Sequence, residues 1–452
     1  ANLGLGTNAL NSLTTGDYNV GVGFDAGTAI TSGDRNVFVG WEAGKATNTG
    51  RYNTALGNVT LKTNTTGGGN VAIGSDALEF NTTGSYNIGI GRQAMESNTT
   101  GASNIGIGHR ALESNTTAAN NVAIGKDAMQ TNTTGHSNSA LGFEALHSNT
   151  TGSYNAATGY RALASNTTAS NNAALGYHAL GAVTTGASNV AIGYEAGDAI
   201  TTHTNNVFMG WRAGKGRVSS NNVAIGYGTL QASSEGAETG GDNIVIGSSA
   251  GQYITTGSSN IGIGANSLDG TGSLYTVTGS SNVCIGKNSG WSMSTGSNNV
   301  GVGRETLKAN TTGANNTTLG HYAGDNITTG DNNIIIGASI DAASATGDNQ
   351  INIGGIDLRQ TTAKAWGRVD MSNMSLDDSH NVGSVTDVST GRAGINFTNA
   401  MANANYSTPV SATEGYRSAT KSHATGSFQI NHTDTNGNLA DADNASFVVF
   451  GD

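Results

Sequence analysis

The chain is poor in the residues that staple, kink or charge ordinary domains: one proline and one cysteine in 452 positions, with 11% charged and 6% aromatic residues. A single cysteine, Cys284, excludes an intrachain disulfide framework and cysteine-rich metal sites. The nine histidines show no metal-ligand spacing, so no metal and no cofactor is expected. A formal net charge of −11 with few lysines and arginines leaves no electrostatic footprint for nucleic acid or an anionic membrane. No run approaches the length of a membrane span and no signal peptide opens the chain. Action outside a cell would then need lysis, a specialised exporter or a lost leader.

Glycine is plentiful, at 68 residues, and it recurs in register. From Asn70 the chain reads NVAIGSDALEFNTTGSY, NIGIGRQAMESNTTGAS, NIGIGHRALESNTTAAN and NVAIGKDAMQTNTTGHS, each 17 residues long. The opening Asn stands at Asn2 and every 17 residues to Asn206; after irregular steps the count recovers, and a last row opens with Gln350. That makes 21 rows, all with Gly at position 5, from Gly6 to Gly354. So strict a repeat predicts a solenoid. Because Asn2 is already in register, the chain is expected to continue a longer one.

Within a row, positions 2 and 4 are large aliphatics and position 3 is small, as in Val71, Ala72 and Ile73. Alternation in a strand puts 2 and 4 on one face, and they are expected to point inward. Gly at 5 (Gly74, Gly91, Gly108, Gly125) is expected to turn the chain through positive φ. A second short strand is expected at positions 8 and 9, and Asn-Thr-Thr-Gly at 12 to 15 makes the return. Where position 9 is Gly (Gly27, Gly197, Gly251, Gly290, Gly324), position 12 becomes Ile30, Ile200, Ile254, Met293 or Ile327. Such an exchange places 9 and 12 in one core cavity; Gly44 and Gly214 break the rule. The opening asparagines, Asn70, Asn87, Asn104 and Asn121 among them, are expected to form a stacked amide ladder. A coil this thin leaves apolar surface wet, which points to association about a common axis as a homotrimer.

Residues 1–355 thus form a shaft, with insertions at 231–242 and 269–281 expected to loop out. Residues 356–363 read as a connector. The different composition of 364–452 suggests a C-terminal β tip, either a small β-sandwich or an intertwined trimeric tip. Strands are expected near 364–371, 380–389, 392–399, 406–413, 427–433 and 446–450.

Three patterns bear on chemistry. Aromatics follow the turn Gly at Phe24, Trp41, Phe143, Tyr160, Tyr177, Tyr194, Trp211 and Tyr227; a shielding ladder is the favoured reading, sugar stacking the other. Carboxylates recur at position 7 (Asp25, Glu42, Asp76, Asp127, Glu144, Glu195, Glu305) and read as a solvated edge rather than a glycosidase pair. The eight Asn-Thr-Thr sequons at position 12 (Asn64, Asn81, Asn98, Asn115, Asn132, Asn149, Asn166, Asn310) read as turn residues rather than glycan acceptors.

The NVAIG and NIGIG rows resemble the head repeats of trimeric autotransporter adhesins, which implies a left-handed parallel β-roll; that family's row is shorter, and no coiled-coil stalk or membrane anchor accompanies these rows. The stretch 364–407 resembles the C-terminal region of tailed-bacteriophage tail fibres, of the marine and cyanobacterial type. Lys364-Ala365-Trp366, Ser379 to Asp387, Gly391 to Met401 and Ala404 to Tyr406 carry that likeness. It implies a trimeric virion fibre without enzymatic activity, joined to other tail proteins beyond its N-terminal end and meeting a host-surface glycan or protein at its tip. Loops at 414–426 and 434–445 supply candidate receptor contacts: Tyr416, Arg417, Lys421, His423 and Asp441. A polysaccharide depolymerase with its site on the shaft, and a cellular surface adhesin or filament protein, are the alternatives.

Overall fold

A computed structural model describes residues 1–216, 219–231, 240–270 and 276–354, together with the strands of the C-terminal part. The chain divides into two compact units, Ala1–Ile356 and Asp357–Asp452.

The first unit is a parallel β-solenoid. Each row contributes one three-residue strand at positions 2 to 4, from β1 (Leu3–Leu5) through β5 (Val71–Ile73) and β6 (Ile88–Ile90) to β21 (Ile351–Ile353). Neighbouring strands pair in parallel without slippage, Val71 with Ile88 and Ile73 with Ile90, so every row sits on the next with one repeat of offset. At a strand spacing of about 4.8 Å the stack is about 100 Å long.

The expected inward face is reversed. Position 3 is the buried one: Ala72, Ala123, Ala140 and Ala191 are all fully enclosed, whereas no position 2 or 4 side chain is buried in any row. The coil is too narrow for the alternative. A Cβ at Gly89 would lie 3.2 Å from the Ala94 carbonyl and 3.3 Å from Leu78 Cγ, so where a position 9 leucine fills the coil the strand's inner face has room only for a small residue. The large aliphatics therefore line the outside.

The second expected strand is also absent. Positions 6 to 11 form a chain of turns in which positions 7 and 9 are left-handed, as at Asp76 (φ 62°) and Leu78 (φ 52°). Leucine and methionine are poor residues for that region, which is why the apolar spacing read as extended. The backbone still pairs between rows: Leu78 N–H donates to Ala94 O at 3.0 Å and Phe80 N–H to Glu96 O at 3.0 Å. Gly at position 5 behaves as expected, with φ of 120°, 133°, 136° and 139° at Gly74, Gly91, Gly108 and Gly125. A Cβ on Gly108 would come within 2.5 Å of the Gly125 carbonyl.

Positions 9 and 12 do share one cavity, and position 3 opens into it as well. Leu78, Met95 and Leu112 fill it from position 9; Ile30, Ile200, Ile254, Met293 and Ile327 fill it from position 12. The rows of Gly44 and Gly214 obey the same rule through position 3. Phe38 and Phe208 are fully buried there, and a Cβ on Gly44 or Gly214 would collide with the ring at 2.6 and 2.3 Å. The rings also reach the preceding row, where Gly27 and Gly197 leave them space at 2.9 and 2.6 Å. Most rows thus hold one large side chain placed at 3, 9 or 12; the rows of Leu10 with Leu13, Leu180 with Val183, Val245 with Ile254 and Leu268 with Val277 are among those that hold two.

The Asn ladder is continuous. Asn104 Oδ1 accepts from Asn121 N–H at 2.9 Å, and its Nδ2 donates to Asn87 Oδ1 at 3.2 Å and across the coil to Ala118 O at 2.8 Å. Rungs span both insertions, Asn243 to Asn222 at 3.1 Å and Asn282 to Asn260 at 3.0 Å. The inserted residues 232–239 and 271–275 lie outside the described residues.

Sequence reading missed a second ladder at position 12. From Asn81 to Asn166 each Nδ2 donates to the preceding Asn Oδ1 at 2.7–3.0 Å, beginning with Asn64 as the first acceptor. All eight of these position 12 asparagines are fully buried, and those at Asn81, Asn98 and Asn132 also bond the carbonyl three residues on, so they are turn residues that serve as core polar groups.

Ile356–Asp357 (β22) lies within the expected connector and belongs to the solenoid's sheet. The second unit contains two four-stranded sheets whose pairings are antiparallel. One orders β24 (Ser375–His380), β23 (Ala365–Asp370), β30 (Asn444–Val449) and β27 (Val410–Ala412). The other orders β25 (Val382–Ser389), β26 (Arg392–Phe397), β29 (Ser427–Asp434) and β28 (Tyr416–Ala424). All six expected strands have counterparts, and β24 and β28 are additional. The predicted loop 414–426 is mostly β28, whose polar sequence YRSATKSHA carries no period-2 apolar signal.

Candidate functional site

Among the described residues the largest continuous surface feature is the outer face of the strands. Two columns of aliphatics, such as Ile88, Ile105 and Val122 beside Ile90, Ile107 and Ile124, run along it at partial exposure. Leu5, Leu56, Leu141, Leu175 and Leu319 on the same face are about half exposed or more. At about 10 Å wide and 100 Å long, this face offers about 1,000 Å², above the roughly 800 Å² that each partner buries in a stable interface.

The position 6 aromatics stack on one another. Phe143–Tyr160, Tyr160–Tyr177 and Tyr177–Tyr194 have centroids 5.2, 5.1 and 5.0 Å apart with planes within 10°. Trp211 and Tyr227 stack at 4.5 Å. Within these two stacks the flat faces that a sugar ring would need are occupied by neighbouring rings, while Phe24 and Trp41 stand about half exposed outside them.

Most position 7 carboxylates are ion-paired rather than solvated. Glu42 binds Lys45 at 2.7 Å and Lys62 at 2.8 Å, Asp127 binds Arg110 at 2.9 Å, and Glu144 binds Arg161 at 2.9 Å. The hydrogen bonds from Lys45 and then Lys62 hold the Glu42 carboxyl below its usual range. At Asp25 the bonds from Asn8 and then Lys45 do the same, and at Glu305 those from Lys308 and then Arg304. Burial pushes Glu195 up, but bonds from Lys215 and Arg212 outweigh it and the carboxyl ends low. A glycosidase's general acid needs the opposite shift.

A shallow depression of about 350 Å³ lies between Arg161, Ser165, His178 and Asp198. It exists because positions 10 and 11 are small there, at Ala164, Gly181, Ala182 and Ala199. His178 Nδ1 stands 3.8 Å from Asp198 Oδ1, and burial pushes the Asp198 carboxyl up. Cys284 fills a position 3 slot, where burial raises its thiol to about 12, far from a reactive thiolate.

One acidic pair sits near the end of the shaft. Burial, then the Asp341 hydrogen bond and charge, raise Asp325 to about 6. An acid with a raised folded-state pKa stabilises the fold below its unfolded value and loses that contribution as pH rises through the folded one. The last rows should therefore be firmest below about pH 4 and loosen as pH passes 6. Hydrogen exchange at 316–350 should show this slope, and Asp341→Asn should flatten it.

Of the candidate receptor residues, Tyr416, Arg417, Lys421 and His423 lie on β28, which pairs with β29 through Tyr416 opposite Asp434 and His423 opposite Phe428. Asp441 lies outside the described residues. Sequence reading also missed a column of exposed tyrosines at position 17, Tyr18, Tyr52, Tyr86 and Tyr154; only their recurrence just before the ladder Asn marks them. No protein-family model, no curated protein and no solved structure matches this chain.

Proposed function

We propose that the chain is a receptor-binding fibre of a tailed bacteriophage: a passive, multivalent adhesin whose shaft holds a recognition unit away from the particle. The observation that carries this reading is the outward aliphatic face, which runs along the rows and is interrupted at Ala156 and Thr158. An exposed apolar surface of that length calls for a partner of the same length and repeat, and a further copy of the same chain has both. Three copies packed through this face form the homotrimer, and the apolar surface becomes a shared core. The two antiparallel sheets of 357–452 serve as the distal unit that meets a host-surface glycan or protein. Several weak contacts on several fibres then add up through effective concentration. The low-held, ion-paired carboxylates favour adhesion over polysaccharide cleavage.

Native mass spectrometry should give three times the chain mass. Ile90→Asp with Ile107→Asp should release monomers that keep the solenoid's circular dichroism, since both side chains face outward. A monomeric wild-type mass would sink the trimer. Truncation after residue 355 should weaken binding to host cells at least tenfold; binding retained by the shaft alone refutes the tip assignment. Release of reducing sugar from host polysaccharide would move the protein to the depolymerase class.

A further inference from the structure

Position 17 closes each coil and is left-handed along the shaft. Ser103, Asn120, Ser137, Asn171, Ser188 and Asn205 occupy it with φ between 56° and 62°. Small polar residues suit that conformation, and bulky ones do not. Four rows nevertheless place tyrosine there, at Tyr18, Tyr52, Tyr86 and Tyr154, with φ of 59–60°. Their rings are 59–72% exposed, so burial does not offset the unfavourable backbone. Their contacts are surface ones: Arg35 Nη1 donates to Tyr52 Oη at 3.3 Å, and His136 meets the Tyr154 ring edge-on at 4.9 Å.

Tyr18, Tyr52 and Tyr86 stand on alternate rows, about 9.6 Å apart along the shaft. Between the first two lies Arg35, its Cζ 5.4 Å from the Tyr18 ring and 5.5 Å from the Tyr52 ring. Between the second two the chain reads Gly68-Gly69, which leaves a notch with a backbone floor. Tyr86 leans over it, since a Cβ on Gly69 would come within 2.8 Å of Tyr86 Cδ1. Polar groups border the notch. Arg51 Nε is 3.6 Å from Asp34 Oδ2, and Ser85 Oγ accepts from Gly68 N–H at 3.1 Å.

We propose that this corner, from Tyr18 to Tyr86 with the Gly68-Gly69 notch at its centre, binds an extended neutral polysaccharide. A sugar ring offers an apolar C–H face to an aromatic ring and hydroxyls to donors and acceptors at its edge. The corner presents both along one line, and its rings recur every second row, as the faces of a polymer recur. Charge agrees with a neutral ligand, because Asp17 and Asp34 balance Arg35 and Arg51 along the corner. From Phe143 to Tyr194 the position 6 rings stack face to face, whereas the row of Gly69 puts no side chain between the Tyr52 and Tyr86 rings. The site lies on the shaft, so it does not depend on the tip reading.

The test titrates the full chain with hexamers of β-1,4-linked glucose and N-acetylglucosamine, read by tyrosine fluorescence. Tyr52→Asn with Tyr86→Asn installs the residue the same column uses elsewhere. It should weaken binding at least tenfold while leaving Tm unchanged or higher. Gly69→Ser, which puts a side chain into the notch, should weaken binding as well. Failure of the unmodified chain to bind either hexamer overturns the proposal, as does undiminished binding in the double variant. A fall in Tm or dissociation of the assembly in that variant would make the tyrosines packing residues and also overturn it.

Discussion

Phe208→Ala should destabilise the shaft by about 3–5 kcal/mol, the usual cost of emptying a buried phenylalanine site. The ring is the large filler of its row: position 9 is Gly214, and a Cβ there would already touch the ring. The informative variant adds Gly214→Leu. The double substitution rewrites the row as the common pattern of Ala at 3 and Leu at 9, as in Ala72 with Leu78, and should recover most of the loss. The left-handed φ of 66° at Gly214 is no obstacle, because Leu78 and Leu112 adopt φ of 52° and 54° in equivalent places. Chemical denaturation followed by circular dichroism measures both variants. If the double variant melts no higher than the single one, positions 3 and 9 do not share a cavity.

Asn104→Ala should cost about 1–3 kcal/mol, the usual cost of one buried group left without a partner. It removes the acceptor of Asn121 N–H. Ala118 O keeps its bond from Asn115 Nδ2, and Asn87 Oδ1 keeps its bond from Asn104 N–H. Asn104→Asp keeps the acceptor but loses the amide donor and buries a charge, so it should be at least as harmful. Hydrogen exchange should show the damage centred on rows 87 to 137. A loss below about 1 kcal/mol for the alanine variant would mean that water replaces the rung and the ladder is not structural.

The repeat, its length, the opening Asn ladder and the turning glycines were legible because each imposes one residue type at one position. Gly108 is an example: its φ of 136° and the carbonyl 2.5 Å from its missing Cβ admit nothing else. The direction of the strand was not legible. Alternation tells which residues share a face but not which face is inside, and in a coil this narrow the inside belongs to the small residue, Ala72 rather than Val71 and Ile73. The exchange between positions 9 and 12 was readable from covariation within the chain. Its exceptions at Gly44 and Gly214 needed the structure, because Phe38 and Phe208 fill the gap from across the coil. The structure also changes what position 12 means. Asn115 is a rung, bonded to Asn98 at 2.8 Å and to Asn132 at 3.0 Å. Rescue of Leu112→Gly by Asn115→Ile would therefore refill the cavity while breaking that rung. Among the candidate receptor residues, sequence placed Tyr416 and Arg417 in a loop because a polar strand on β28 lacks the apolar alternation that marks strands.

Since each row offers the same bonding edge above and below, whole rows are interchangeable bricks. Excising residues 121–137, for example, would bring Asn138 onto Asn104 and Met95 and Leu112 beneath Leu146 without orphaning a backbone group. Solenoid length can therefore change by gene duplication or deletion in discrete steps of about 4.8 Å, with the outer face kept in phase. The exceptions are the coupled pairs: the Phe208 row must travel with the Gly197 row before it, because the ring needs both gaps. Recombination breakpoints in this gene should fall between ordinary rows and avoid those two seams.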